Sequence, residues 1–395
     1  MKLLMVHNEY GKYSGEEAVV DRMAEAFRGR GVEVAMLRRS SAAARESLLG
    51  KMHGFLAGIY SPDGVGEMRR VLRDEKPDVV NVHNVFPFIS PAALQECRKA
   101  GVPVVMTIHN YRLVCPTGLF MRDGGPCERC LDRGSEWGCV RYNCEGSRLK
   151  SLGYALRGAA ARWRRDFIDC VDRFACITDF QRQKLMQAGF DPAKITVIPN
   201  AVDVPAEAPD FNPGNYVAYC GRLSREKGVD LIIEAARRMP DVEFRLAGAV
   251  RDAELIEDLP ENVKLCGFLG GKDLDEFFRG ARIVVMASRC YEGFAVAILE
   301  AAQHGRCVVA PDHGGFTEII GRGDNAIGRL FEPGNVSALV EAISSIWNNP
   351  NELSRLGCAS YDKLCREYSL DVVTDRWMSL FFNIIQDRRT GGTGN

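Results

Sequence analysis

Ala201-Val202-Asp203-Val204-Pro205-Ala206-Glu207-Ala208-Pro209-Asp210-Phe211-Asn212-Pro213-Gly214 interrupts an otherwise regular alternation of strand-like and helix-like segments. Its Pro, Asp and Gly content suits neither period, so it reads as an inter-domain linker. Before it, short apolar runs rich in β-branched residues alternate with helical stretches, the rhythm of a parallel sheet. The predicted strands are Lys2–His7, Val32–Leu37, Asp78–Asn84, Pro103–Asn110, Arg173–Thr178 and Ile195–Asn200, with helices such as Glu16–Arg30 and Pro91–Ala100 between them. After it the rhythm restarts, with strands at Tyr216–Gly221, Val242–Gly248, Asn262–Phe268, Ile283–Ser288 and Cys307–Pro311. Helices are expected near Val229–Met239, Leu274–Ala281, Phe294–His304 and Asn335–Trp347. The fold class is therefore α/β: two doubly wound, Rossmann-like domains facing each other across a cleft, where ligands of such sheets bind at strand carboxyl ends. The expected boundaries are 1–205 and 206–368. A last helix over 369–390, read from Ser369–Gln386, is expected to pack back toward the first domain, and Gly391–Asn395 reads as a disordered tail.

Composition agrees. A chain of 395 residues exceeds what one hydrophobic core usually organises. With 46% hydrophobic and 26% charged residues it is neither disordered nor coiled-coil in character. The 51 basic and 52 acidic residues leave a net charge of −1, so no global field points to nucleic acid. No apolar run reaches membrane-spanning length, and Met1–His7 is too short for a signal-peptide core. A cytoplasmic location is expected, with the 14 cysteines as reduced thiols.

Two motifs fall at predicted strand ends. Gly221-Arg222-Leu223-Ser224-Arg225-Glu226-Lys227-Gly228 follows a strand and opens a helix. Its cations, glycines and helix start suit a diphosphate, although the segment alone also reads as a solvated loop. The spacing is neither a Walker loop nor the dinucleotide fingerprint, which removes the main support for a P-loop kinase or a dehydrogenase. Glu292-Gly293-Phe294-Ala295-Val296-Ala297-Ile298-Leu299-Glu300 leaves the strand ending at Ser288. With Glu292 in the loop and Glu300 two turns along the helix, the carboxylates would stand roughly 12 Å apart. That is too far for a glycosidase acid/base pair, but it suits the two ends of a sugar nucleotide. Two acids on a helix are otherwise surface decoration. Asp273-Leu274-Asp275 reads as helix capping, not as a metal site.

At this point the sequence resembles the retaining GT-B glycosyltransferases of family 4, also called group 1, over nearly its whole length. The family's Glu-x7-Glu motif is matched by Glu292 and Glu300, and its diphosphate loop by Gly221, Arg222, Lys227 and Gly228. Asp312-His313-Gly314-Gly315-Phe316-Thr317-Glu318, Ile198-Pro199-Asn200-Ala201-Val202-Asp203, Val82-His83-Asn84 and Thr107-Ile108-His109-Asn110 match further motifs. The resemblance implies an acceptor domain first and a nucleotide-sugar donor domain second. It also implies transfer of a sugar from a UDP- or GDP-sugar to a hydroxyl of a saccharide or lipid-linked acceptor, with retention of configuration. Arg222 and Lys227 would stabilise the leaving diphosphate, beside Gly221 and the helix entrance Gly293, Phe294 and Ala295. Glu300 would hold the ribose, Glu292 the donor sugar, and His109 the sugar or acceptor near the anomeric carbon. The plain alternative for His109 is a strand-end histidine satisfied by backbone. No metal or other cofactor is required for catalysis. Where family members usually carry Gly-Gly, this chain has Ser14-Gly15-Glu16-Glu17. Gly15 still allows close backbone approach, but two acids there would repel a diphosphate unless turned away. A sugar-nucleotide epimerase or a non-catalytic sugar-nucleotide-binding relative is the other reading.

Two local features stand apart. Arg148, Lys150, Arg157, Arg162, Arg164 and Arg165 accompany Leu149, Leu152, Leu156, Trp163 and Phe167 at helical spacing. Such a 148–167 helix either lies on an anionic membrane or packs on the domain with a solvated basic face. Within the 115–144 insertion, five of the 14 cysteines fall where an even spread gives about one. Cys127, Cys130, Cys139 and Cys144, with Cys115 as a substitute, have spacings for a structural zinc. Disulfides and free thiols are the alternatives.

Overall fold

The computed structural model describes residues 1–10, 14–42, 48–211 and 214–391; from Gly392 onward the expected tail lies outside the described residues. Strands β1 (Lys2–Glu9), β2 (Glu33–Ser40), β3 (Val79–Asn84) and β4 (Val104–Ile108) precede a short hairpin, β5 (Met121–Arg122) and β6 (Gly125–Pro126). Then come β7 (Arg173–Cys176) and β8 (Ile195–Val197). The first sheet runs β2-β1-β3-β4-β7-β8, all parallel. The second contains β9 (Tyr216–Cys220), β10 (Glu243–Ala247), β11 (Val263–Gly267), β12 (Ala281–Val285), β13 (Cys307–Pro311) and β14 (Gly328–Phe331), in the order β11-β10-β9-β12-β13-β14. It too is wholly parallel. All eleven strands expected from sequence are present within a few residues; the hairpin strands β5 and β6 and the edge strand β14 are additions.

The chain divides into two units. One comprises Met1–Leu119, Glu128–Pro199 and Val373–Asn395, the other Phe120–Cys127 and Asn200–Val372. The Cys-rich insertion is thus split between them. In a doubly wound sheet the ligand crevice opens where strand order reverses. In the first unit that point lies between β1 and β3, at His7, Asn8, His83 and Asn84. In the second it lies between β9 and β12, which places Gly221, Arg222 and Ser288 at the reversal.

Both sheets are held by apolar helix stripes. In the helix Val229–Arg238, Val229, Ile232, Ile233 and Ala236 recur at i, i+3, i+4 and i+7 and join the core formed with Val217, Phe244, Leu246, Ile283 and Val285. Gly228, at the start of that helix, has φ +68°, and a Cβ there would lie 1.9 Å from the Ala287 carbonyl oxygen. Only glycine fits, so the loop that precedes the helix is pressed against the end of the β12 segment.

The last helix spans Leu370–Gly391, and from Val373 on it belongs to the first unit. Phe381 is fully buried, edge-on to Phe27 of the helix Gly15–Gly29 with ring centroids 5.5 Å apart, and Arg388 bonds Asp172 at 2.6 Å. Phe381→Ala should therefore cost about 3 to 5 kcal/mol, the usual range for a buried aromatic. Equilibrium unfolding in urea measures it, and a loss below about 1 kcal/mol would show that this helix is only loosely attached.

Candidate active site

At the reversal point of the second sheet, Lys227 and Glu292 form an ion pair whose side chains are only 23% and 14% exposed. Ser288 Oγ donates to the same carboxylate at 2.7 Å, and the Ser288 carbonyl is in turn 2.9 Å from His313 Nε2. Burial alone would push the Glu292 carboxyl up, but the Lys227 ammonium and the Ser288 hydroxyl outweigh it and hold it below the ordinary range. Burial likewise opposes the charge on Lys227, and Glu292 more than offsets that. Both groups are charged at neutral pH.

The glycines around the pair bring backbone close. A Cβ on Gly221 would meet the Tyr219 hydroxyl at 2.8 Å, and one on Gly314, at φ +61°, would lie 3.3 Å from the backbone of Glu292. The Gly315 N–H donates to the Glu292 carbonyl at 3.0 Å. Arg222 is half-exposed and 3.5 Å from Glu226, which also binds Arg251 at 2.6 Å. Glu300 reaches the end of β9, where it adds to the burial that pushes the Cys220 thiol up to about 12. Gly293, Phe294 and Ala295 stay outside the helix, which begins only at Val296. Glu300 is therefore little more than one turn along it, not two. Phe294 packs on Tyr368 with centroids 5.6 Å apart. Sequence reading missed Ser288, although a hydroxyl at a strand end four residues before Glu292 was the available signal, and it gave His313 no role beyond membership of a matched motif. Asp273 lies in the first turn of Gly271–Arg279, and Asp275 binds Arg279 and His304 instead of capping.

At the reversal point of the first sheet, His109 Nε2 is 2.8 Å from His83 Nδ1. His7, wholly buried, has its Nδ1 3.8 Å from Glu16. The two acids after Gly15 turn inward: Glu16 accepts from the Tyr10 hydroxyl and Glu17 from the Tyr10 N–H, each at 2.8 Å, with the Arg112 guanidinium stacked on the Tyr10 ring. The second carboxylate oxygen of each acid is buried without a hydrogen-bond partner among the described residues. A Cβ on Gly15 would meet nothing within 4 Å. Tyr10 and Arg112, the neighbours of Glu16, carried no recognised signal in the sequence.

The basic stretch is two helices, Arg148–Trp163 and Asp166–Cys170, because Arg165 adopts a left-handed backbone with φ +59°. Leu149 and Trp163 are 69% and 82% exposed, while Phe167 is buried. The protein itself holds four of the cations: Arg157 binds the Pro116 carbonyl, Arg162 binds Glu136, Arg164 binds Asp166, and Arg165 binds Asp169. Among the described residues no helix is long and apolar enough to cross a membrane.

No cysteine among the described residues is in a disulfide. Cys139 is fully buried and hydrogen-bonded to Cys144, with Cys115 and Cys130 acting on it from farther away; together these raise its thiol pKa. Cys127 falls in the other unit. Among the described residues, no group of three or more His, Cys, Asp or Glu side chains is gathered to hold a metal ion.

The pattern described as Glycosyltransferase Family 4 matches residues 13–205, and that described as Glycosyl transferases group 1 matches residues 214–349. Poly(ribitol-phosphate) alpha-N-acetylglucosaminyltransferase of Staphylococcus aureus (strain COL) is 30% identical over 218 residues, 52% of this chain and 43% of that protein. Alpha-D-kanosaminyltransferase of Streptomyces kanamyceticus is 29% identical over 309 residues, 73% of this chain and 72% of that one. The chain spans 43% to 59% of the length of the first three curated relatives it matches. Among solved structures, sucrose-phosphate synthase from Thermosynechococcus elongatus superposes with a TM-score of 0.72 at 15% identity, over 98% of this chain and 99% of that one. Anabaena HepE in complex with UDP and glucose does so with 0.67 at 16% identity, over 97% and 100%. The chain therefore belongs to the group 1, family 4 glycosyltransferases and has their GT-B fold of two Rossmann-like units.

Proposed function

We propose that this protein transfers a sugar from a nucleoside diphosphate sugar, UDP- or GDP-linked, to an acceptor hydroxyl with retention of configuration, in polysaccharide or glycolipid synthesis. The observation that carries this reading is the Lys227–Glu292 pair at the reversal point of the second sheet. Lys227 and Arg222 offer charge to the diphosphate as it leaves, and Glu292 offers a carboxylate to sugar hydroxyls. Glu300, on the helix Val296–Gln303 and within electrostatic reach of Cys220 at the end of β9, is assigned to the ribose diol, and His109 to the reacting sugar or acceptor. Charge on the leaving group grows along the reaction, so Lys227 and Arg222 act more strongly on the transition state than on the bound donor. UDP in the complex of the Anabaena neighbour supports the donor class. The names of the curated relatives support sugar transfer, and that of the Staphylococcus aureus relative a polyol-phosphate polymer as one class of hydroxyl acceptor.

Incubation with a panel of UDP-, GDP- and ADP-sugars, with and without saccharide acceptors, tests the reading. Acceptor-dependent nucleotide release with a product of retained anomeric configuration supports it. Interconversion of the sugar without acceptor would instead identify an epimerase, and binding with no turnover on any pair a non-catalytic relative. Arg222→Ala should lower turnover about ten- to a thousandfold with folding unchanged, because the side chain is half-exposed. Lys227→Ala should do the same and also lose stability, since it leaves the Glu292 carboxylate buried without its partner. Wild-type turnover in both variants would remove them from the mechanism.

A structural zinc on Cys127, Cys130, Cys139 and Cys144, with Cys115 able to substitute, is proposed from the two pairwise spacings alone. Metal analysis of protein purified without chelator should find about one zinc per chain, lost in Cys130→Ser. Reduced, active protein without metal would rule it out. Peripheral contact with an anionic membrane is proposed for the start of the Arg148–Trp163 helix, where Arg148, Leu149 and Lys150 are all exposed.

A further inference from the structure

His83 has no assigned role, yet the fold treats it as special. In the β1–β3 ladder Val6 pairs with Val82 and His7 with Asn84, so the register skips His83. Such an irregularity re-aims one side chain. Here it turns the His83 ring toward His109, stacked at 22° with centroids 5.1 Å apart and Nδ1 2.8 Å from His109 Nε2. Two neutral imidazoles joined by one contact need a donor at one end and a bare nitrogen at the other. Which end donates is decided by the far nitrogen of His83. Its Nε2 is buried and has no hydrogen-bond partner among the described residues. The next ring, His7, stands edge-on with its centroid 6.4 Å away, and Glu16 lies beyond it. A proton on His83 Nε2 would be a buried N–H with no acceptor, the costliest way to leave a polar group; a lone pair there costs less. The proton of His83 therefore sits on Nδ1 and donates to His109 Nε2. The proton of His109 is then left on its own Nδ1.

We propose that His83 is a positioning residue that holds His109 in the Nδ1–H tautomer, so that His109 presents an N–H donor, and not a basic lone pair, to a saccharide oxygen at the reacting centre. Burial holds His109 down to about 4 and His83 well below its ordinary value, so both rings are neutral where the enzyme would work. His109 also lines a small pocket with Asn84, Asn110 and Arg112, which gives a ligand oxygen a way in. The inference rests on the assignment of His109 to the reacting sugar or acceptor. It deepens that assignment by fixing what the ring can do: it can orient and polarise an oxygen, and it cannot take the acceptor's proton.

Histidine-selective 15N labelling tests this on the intact chain, whose six histidines make the spectrum assignable. Long-range 1H–15N spectra report which ring nitrogen carries the proton. The wild-type protein should show His109 protonated on Nδ1 and bare on Nε2 at neutral pH. His83→Leu should release it into a mixture of tautomers and lower kcat about ten- to hundredfold while donor KM stays within about twofold. His83→Asn, whose amide N–H can donate from nearly the same place, should recover most of both. A His109 protonated on Nε2 in the wild-type chain overturns the proposal without any variant having to fold, as does an unchanged tautomer and kcat in His83→Leu. Full turnover in His109→Ala is a different failure: it removes His109 from the reaction, whatever the spectrum reports.

Discussion

The buried Lys227–Glu292 ion pair constrains everything around it. Two opposite charges taken out of water are tolerated only together, and removing either partner alone typically costs about 3 to 5 kcal/mol. A ligand that takes Lys227 must therefore bring its own negative charge. Glu292, released, must find hydrogen-bond donors at once. In the proposed reading a sugar nucleotide meets both demands, the diphosphate facing the ammonium and the sugar hydroxyls facing the carboxylate. A nucleoside diphosphate alone meets only the first, and so leaves a buried carboxylate poorly served. In that proposed reading the same pair both binds the donor and distinguishes it from the product of transfer.

The surrounding fold holds that pair in register. Gly228 can be nothing larger because the Ala287 carbonyl lies against it, and this closes the loop carrying Lys227 onto the end of the strand that leads to Glu292. Gly314 and Gly315 press from the other side, on the backbone of Glu292 itself. The glycines are therefore spacing elements as much as ligand-approach points. In the first unit the equivalent reversal point is occupied by neutral histidines and by Glu16 and Glu17, each of which accepts one hydrogen bond from Tyr10. Catalysis by a protein carboxylate or a histidine base has little support there; orientation and polarisation of oxygens do.

Much of this was legible in the sequence. Buried parallel strands are continuous β-branched runs, so Val79–Asn84 or Ala281–Val285 could be found without tertiary information. The pairing of Lys227 with Glu292 could not, because it spans two motifs far apart in sequence and depends on strand order. β14 escaped notice because Gly328-Arg329-Leu330-Phe331 is short, carries a glycine and an arginine, and lies at the sheet edge, where one-sided pairing tolerates weak β-propensity. The 148–167 segment read as one amphipathic helix because Leu149, Trp163 and Phe167 share a period. The left-handed turn at Arg165 breaks that period and sends Phe167 inward while Trp163 faces solvent. The cysteine spacings located the cluster but not its pairing: Cys139 is hydrogen-bonded to Cys144, Cys115 and Cys130 act on it from farther off, and Cys127 falls in the other unit.

The exchange of Glu292 for phosphate on Lys227 can be measured without any acceptor. Calorimetric titration of UDP and of GDP into the wild-type chain and into Glu292→Gln compares the two sites with and without the competing carboxylate. If the ion pair guards the phosphate seat, the variant binds whichever nucleotide the protein accepts about tenfold tighter or more, a gain of about 1.4 kcal/mol, even though it transfers sugar poorly. Equal or weaker binding by Glu292→Gln would contradict the account, because it would mean that the diphosphate does not displace Glu292 from Lys227.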